Sequence, residues 1–280
     1  MTLTMDGKNT FSNVGANIAA GNLDDAVAEI MAIASSSNDV PTLLSCASIL
    51  KAIGEGDGFD TVVGKIMDAS HGDADGYDTA ASLAGLGLHA EALIILDGTG
   101  DPDVRPTLYA TSLLAVGRAD DAVAVLTAAG DLDLDGSIVL SEALCAAGRH
   151  GEAISLTESL VADHGGWLAM KAHCGAMMHK GDNRGAFRYA RKASKEMGGP
   201  DSNALAAYVM RVNGRIPAAA GYAVRALKED PHHLGALEEM AMCLLEKGEV
   251  DKARYFAGTI NDVSPGHPAT VRILDACPPR

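Results

Sequence analysis

The sequence predicts an all-α protein built from repeated helix pairs, and three observations carry that expectation. A glycine returns along nearly the whole chain at Gly21, Gly54, Gly87, Gly117, Gly148, Gly181, Gly214 and Gly248, with separations of 33, 33, 30, 31, 33, 33 and 34 residues. That is the period of one helix-turn-helix unit. Apolar residues on either side of each glycine recur at helical spacing. Finally, 48% of the 280 residues are hydrophobic, enough for a core, yet only 4 Phe, 1 Trp and 6 Tyr are present. Sandwiches and barrels packed with aromatic and β-branched strands are disfavoured by that composition.

Each unit reads as a first helix, a tight turn in which glycine accepts a positive φ, and a second helix whose small residue lets the two axes approach. The phrase opens at Gly21 to Ala26 and recurs as Gly87 to Ala92, Gly117 to Ala122, Gly148 to Ala153, Gly181 to Ala186, Gly214 to Ala219 and Gly248 to Ala253. The stretch from Gly7 to Asn17 holds few apolar residues, so the first helix is expected to be frayed or absent. Gly54-Glu-Gly-Asp-Gly58 is expected to expand or distort the second turn. In the eighth unit Leu237, Ala241 and Leu244 fall on one stripe, continued by Ala253, Ala257 and Ile260 on the second helix. Pro231 and Pro265 stand 17 residues after their turn glycines, where proline stops a unit. Pro268 to Ala276 reads as a short helix covering the last apolar face, with 268–280 as cap and tail of a single domain spanning 1–280.

Glycine at the turn, alanine five residues on, another small or apolar residue seven beyond and proline at the boundary resemble tetratricopeptide repeats. The pairs Ala122/Ala129, Ala186/Ala193 and Ala219/Ala226 carry the resemblance most fully, while the family's usual aromatics are mostly replaced by aliphatic residues. The resemblance implies an α-solenoid, a right-handed superhelix of about eight stacked units. It also implies a concave face of first helices that receives a peptide or helix of a protein partner. The expected class is a scaffold rather than an enzyme, since stacked repeats offer extended surface without an enclosed pocket.

Net charge is −15, and it is unevenly placed. Residues 1–140 carry 5 Lys and Arg against 21 Asp and Glu, whereas 141–280 carry 17 against 16. Wholesale nucleic-acid binding is disfavoured by that balance. Within 180–228, ten basic residues face three acidic ones, and Arg184, Arg188, Arg191 and Lys195 fall on one side of a helix. That stripe is a solvated outer face or, as an alternative site, a dock for an acidic partner or RNA. The amino terminus lacks a secretory pattern and no run approaches a membrane span. Cys46, Cys145, Cys174, Cys243 and Cys277 are odd in number and scattered, which fits a reducing cytoplasm.

Several motifs suggest other chemistries. Gly85-x-Gly87-x-x-Ala90 matches a dinucleotide fingerprint but lacks the preceding strand, and the repeat turn accounts for Gly87. His173, Cys174 and Met177 suit a soft metal, yet they occupy the packing stripe of the sixth unit's first helix. Asp131-Leu-Asp133-Leu-Asp135-Gly136-Ser137 through Glu142 resembles an EF-hand calcium loop, with Asp131, Asp133, Asp135, the Ser137 carbonyl and bidentate Glu142 as ligands. The repeat phase instead makes Asp135 a helix cap and puts Glu142 on the following helix. Calcium is therefore the one cofactor considered, as an alternative to a protein with none.

Helical phase places Lys171, Gly175 and Met178 on a different side of their helix from His173, Cys174 and Met177. Equivalent offsets select Tyr208 and Arg211 in the seventh unit and Glu238 and Met242 in the eighth. This row mixes an aromatic, two thioethers and both signs of charge, a composition suited to recognising peptide. In the resembling family a clamp for a carboxyl-terminal carboxylate is partly echoed by Lys171, but Gly175 stands where asparagine is expected. An internal or helical segment is the expected ligand.

Overall fold

A computed structural model of the chain describes residues 11–70, 76–99 and 105–277, and among them only helices and connecting turns occur. The helices are α1 (Ser12–Ala20), α2 (Leu23–Ser36), α3 (Val40–Ile53), α4 (Gly56–Ala69), α5 (Gly76–Gly85), α6 (His89–Thr99), α7 (Pro106–Ala115), α8 (Ala119–Ala129) and α9 (Leu134–Ala146). They continue as α10 (His150–Asp163), α11 (Gly166–His179), α12 (Asn183–Glu196), α13 (Gly199–Val212), α14 (Ile216–Glu229), α15 (Leu234–Glu246), α16 (Val250–Val263) and α17 (Pro268–Asp275). Each odd-numbered helix from α1 to α15 pairs with the next through one of the eight repeating glycines.

Those eight glycines take φ between +72° and +87°, a backbone that costs a side chain its steric freedom. The turn is held by the same two bonds throughout, for example Gly117 N–H to the Leu114 carbonyl at 3.0 Å and Arg118 N–H to the Leu113 carbonyl at 2.8 Å. Orphan carbonyls at the end of the first helix are thereby satisfied. Five residues after the glycine, Ala26, Ala92, Ala122, Ala153, Ala186, Ala219 and Ala253 are each 0% exposed. A larger side chain there would force the two axes apart.

The turn at Gly54 is regular, contrary to the expected distortion: φ is +79° and α4 begins two residues later, as in the other units. Here the buried small residue is Gly58, one position earlier, whose N–H is accepted by the Glu55 side chain. Helix α1 is present from Ser12, with Val14 buried, so the first pair is formed; residues 7–10 lie outside the described residues.

Contacts divide the chain into two units, 1–130 and 131–280. In the first, Ile30, Leu43, Leu50, Ile66 and Leu83 form the fully buried core, with α2 against α4 and α3 against α5 as well as partners within pairs. In the second, first helices stack in sequence, α9 on α11, α11 on α13, α13 on α15 and α15 on α17. This neighbour-to-neighbour stacking is the solenoid pattern. Helix α17 closes the second unit by burying Ala269 and Ile273 against Ala257, Ile260 and Leu237, as the terminal apolar residues require.

Candidate binding site

The first helices of the second unit present one wall, and side chains at helical spacing line a cavity of ≈ 190 Å³ in it. Helix α9 supplies Ile138, Ser141, Glu142 and Cys145; α11 supplies Leu168, Lys171, Gly175 and His179; α13 supplies Tyr208. Positions i, i+3, i+4 and i+7 on α9 and on α11 share a face, which explains why residues so spaced meet. At Gly175 the wall is low. A Cβ there would come no nearer than 3.8 Å to the Tyr208 hydroxyl.

Lys171 is held from three sides. Its ammonium lies 5.2 Å from the Trp167 ring centre and 5.4 Å from that of Tyr208, and it donates to Glu238 Oε1 at 3.0 Å. Cation–π attraction and the ion pair both fix the head group. The same Glu238 oxygen accepts from Arg272 of α17 at 2.6 Å. Burial pulls the Glu238 carboxyl upward, and the two cations outweigh it, holding it below the usual carboxylate range.

Deeper in the wall, Arg211 donates from Nε to Glu239 Oε2 at 2.7 Å and from a terminal nitrogen to Glu246 at 3.2 Å. Burial works against the guanidinium's charge, and the bonds to Glu239 and Glu246 override it, raising its pKa. The Tyr208 hydroxyl is pushed up to about 12, chiefly by burial with Glu239 adding. Glu142 keeps surface exposed at the cavity's edge, yet the surrounding protein raises its carboxyl; Lys171, Arg272 and His179 oppose that shift.

Trp167 organises this region. It meets Tyr208 edge-on at 6.3 Å and His233 at 6.4 Å. Its indole packs where a side chain on residue 235 would stand, since a Cβ on Gly235 would collide with Trp167 Cε2 and Nε1. His233 caps α15 by accepting the Ala236 N–H at 3.0 Å, and its other nitrogen bonds Asp201 at 2.7 Å.

Four of the residues selected from the sequence are therefore adjacent: Lys171, Tyr208, Arg211 and Glu238. Three of them are not free anchors, however, since Lys171 is itself paired with Glu238. Arg211 has a side chain only 13% exposed and Glu238 one 8% exposed, and both are committed to internal ion pairs. Met178 is half-buried, with its sulfur 3.9 Å from Asn213 Nδ2, and Met242 is half-buried against the α15–α17 core. Sequence reasoning missed Trp167, Glu239, Arg272 and Gly235. The available signal was Glu238-Glu239 inside the apolar run of α15, since consecutive carboxylates on a buried helix demand cationic partners.

The calcium reading is corrected by the fold. Residues 131–142 do not form a loop, because helix α9 begins at Leu134 and contains Asp135, Gly136, Ser137 and Glu142. Nine residues of helix separate Asp133 from Glu142 by roughly 13 Å along the axis, too far for one ion. The cap is Asp133 rather than Asp135, accepting the Gly136 N–H at 2.7 Å. Asp131 precedes the helix on the exposed side. No cluster of three metal-ligating side chains occurs among the described residues. His173 is buried with Nδ1 3.1 Å from Thr157 Oγ1, and Cys174 Sγ lies 3.8 Å from the Ala186 carbonyl, so both serve packing. All five cysteines are buried free thiols.

Arg184, Arg188, Arg191 and Lys195 are exposed on α12, opposite its buried Gly185, Ala186, Ala190 and Ala193. No helix among the described residues is long and apolar enough to cross a membrane.

Eight glycine-turned helix pairs, with the first helices of the second unit stacked into a side-chain wall, define a helix-pair repeat architecture. Residues 212–272 match the family model described as "Tetratricopeptide repeat", and the pairs that precede them repeat the same turn and the same buried small residue. Residues 212–272 thus carry a tetratricopeptide repeat. Among solved structures it is similar to a tetratricopeptide repeat protein from Parabacteroides merdae ATCC 43184, at 12% identity over 85% of this chain and 98% of that one, TM-score 0.49. It is similar also to a thermophilic protein of this kind in Thermus thermophilus, at 18% identity over 62% of this chain and 98% of that one, TM-score 0.41. A third is YrrB, described as having an unusual peptide-binding site, at 13% identity over 75% and 95%, TM-score 0.36. No curated protein matches the sequence.

Proposed function

We propose that this chain is a non-catalytic interaction scaffold whose second unit holds a peptide or helical segment of a protein partner against α9, α11 and α13. The observation that carries this reading is the ≈ 190 Å³ cavity, low at Gly175 and edged by Glu142, Lys171 and Tyr208. Its polar groups are held in place before any ligand arrives. Lys171 is fixed by Glu238 and two rings, and Tyr208 by Trp167 and Arg211. Groups already ordered lose little side-chain entropy on binding, so a modest contact surface suffices. Leu168, 47% exposed beside the cavity, supplies apolar contact to an entering side chain.

The test is selection of a displayed random-peptide library on the full chain, followed by titration of the enriched peptides against Gly175→Trp and Glu142→Arg. Peptides are expected to emerge that bind the wild type and lose tenfold or more in affinity when the cavity is filled, about 1.4 kcal/mol. Peptides that bind the folded Gly175→Trp protein equally well place the site elsewhere. A library that yields no binder overturns the reading.

A further inference from the structure

We infer that the basic outer face of α12 docks on the acidic outer helices of the first unit of a second copy of this chain. The four cations sit 3, 7, 10 and 14 residues after the turn glycine Gly181, which places Arg184, Arg188, Arg191 and Lys195 along one exposed line of the second helix. Among the described residues, Lys192 is the one basic side chain of α12 in an ion pair, with Glu196 at 3.8 Å. The line is thus a row of unneutralised charge, mostly guanidinium, the group that matches carboxylates by paired hydrogen bonds.

Several of the same repeat positions in the first unit carry the opposite sign. Three residues after their glycines stand Asp24, Asp57 and Asp120, and fourteen after Gly54 stands Asp68; all four are exposed. Around them the same offsets hold mostly small or uncharged residues, Ala28, Thr61, Gly64, Ala124 and Thr127, with Met31 half-buried and Ile94 exposed on α6. The first unit's described cations are all engaged elsewhere. Lys51 donates to the Leu86 carbonyl, Lys65 to the carbonyls of Ala34, Ser35 and Ser37, Arg105 to Asp78 and Arg118 to Asp121. The acidic face is left without internal compensation, as the excess of 21 acidic over 5 basic residues in 1–140 requires.

A second copy is the occupant these observations favour. A nucleic acid and a second copy are both anionic overall, but the second copy sets exposed carboxylates at one repeat position of three of its helices, Asp24 on α2, Asp57 on α4 and Asp120 on α8, within reach of long arginine side chains. The contact joins different faces of the two partners, so it is heterologous and extends head to tail. Exposed charge pairs of this kind are screened by salt.

Sedimentation velocity of the full chain across a concentration series, at about 20 mM and about 500 mM salt, tests the inference. The expected result is a mass that grows with concentration in low salt only. Arg184→Glu/Arg188→Glu/Arg191→Glu and, separately, Asp24→Lys/Asp57→Lys/Asp120→Lys should each weaken self-association about tenfold or more, and mixing the two should restore it. Every substituted side chain is exposed, and circular dichroism checks that both variants remain folded. A wild type that stays monomeric in low salt, association indifferent to the reversals, or a mixture of folded variants that stays monomeric overturns the inference. So does a monomeric wild type that retains an RNA oligonucleotide or polyglutamate through α12.

Discussion

Arg211 and Glu239 form a two-bond ion pair, Nε to Oε2 at 2.7 Å and a terminal nitrogen to Oε1 at 3.3 Å, with the glutamate side chain 0% exposed. The pair ties α13 to α15 in the interior of the second unit. A buried pair is expensive to desolvate, and its removal as a whole is far cheaper than the removal of one member.

Arg211→Ala is accordingly expected to destabilise the protein by about 3–5 kcal/mol, because Glu239 is left buried without its cation. Arg211→Met with Glu239→Leu should recover most of that loss. Urea unfolding midpoints measure both. A single mutant as stable as wild type would mean that the carboxylate finds another partner.

Gly235 and the chain's single tryptophan form a second packing constraint. Gly235→Ala drives a methyl group into Trp167 Cε2, so the indole must shift. A loss of about 1–3 kcal/mol is expected from such overpacking. Because Trp167 is the only tryptophan, its emission reports the shift directly. Unchanged emission and melting would show that the ring has room.

Asp133 is expected to matter as a helix cap and not as a calcium ligand. Asp133→Ala should cost about 1 kcal/mol through the lost bond to the Gly136 N–H. Millimolar calcium should leave the melting temperature of wild type unchanged, since the carboxylates of 131–142 are spread along α9. A calcium-dependent rise abolished by Glu142→Gln would reverse this conclusion.

His173 gives the second unit an acid sensitivity. Burial holds its imidazole below the usual histidine range, with Glu158 a smaller opposing influence. Unfolded, the same group takes up a proton near pH 6.5. Between those two pKa values the unfolded chain binds more protons, so stability is full above about pH 6.5 and falls as the pH drops toward the folded pKa. Comparing urea midpoints at neutral and mildly acidic pH for wild type and His173→Gln isolates this contribution. Equal pH slopes would remove His173 from the account.

Much of the fold was legible because its causes are local. A glycine that must take positive φ and an alanine that lies at a helix crossing mark themselves in the sequence, so the turns at Gly117 through Gly248 stand where periodicity puts them. The misreadings were of degree within that frame. At Gly54 a cluster of glycines suggested a distorted turn, and the helix simply starts at Gly56 with Glu55 as its cap. At 131–142 the calcium-loop spacing competed with the helix phase, and the helix won, since thirteen residues of backbone hydrogen bonding begin at Leu134.

The wall's chemistry was less legible. Helical phase alone brought Lys171, Tyr208, Arg211 and Glu238 onto neighbouring faces, because a 3.6-residue period determines which side of a helix a residue occupies. It did not say that Lys171 would find Glu238 across 67 residues, or that Arg272 would share the same oxygen. Ion pairing depends on distances between helices two or four elements apart, which periodicity within one helix does not encode. Packing decided those partners: the room at Gly235 admits Trp167, Trp167 sets the place of Lys171 and Tyr208, and the buried carboxylates then take whichever cations lie within reach.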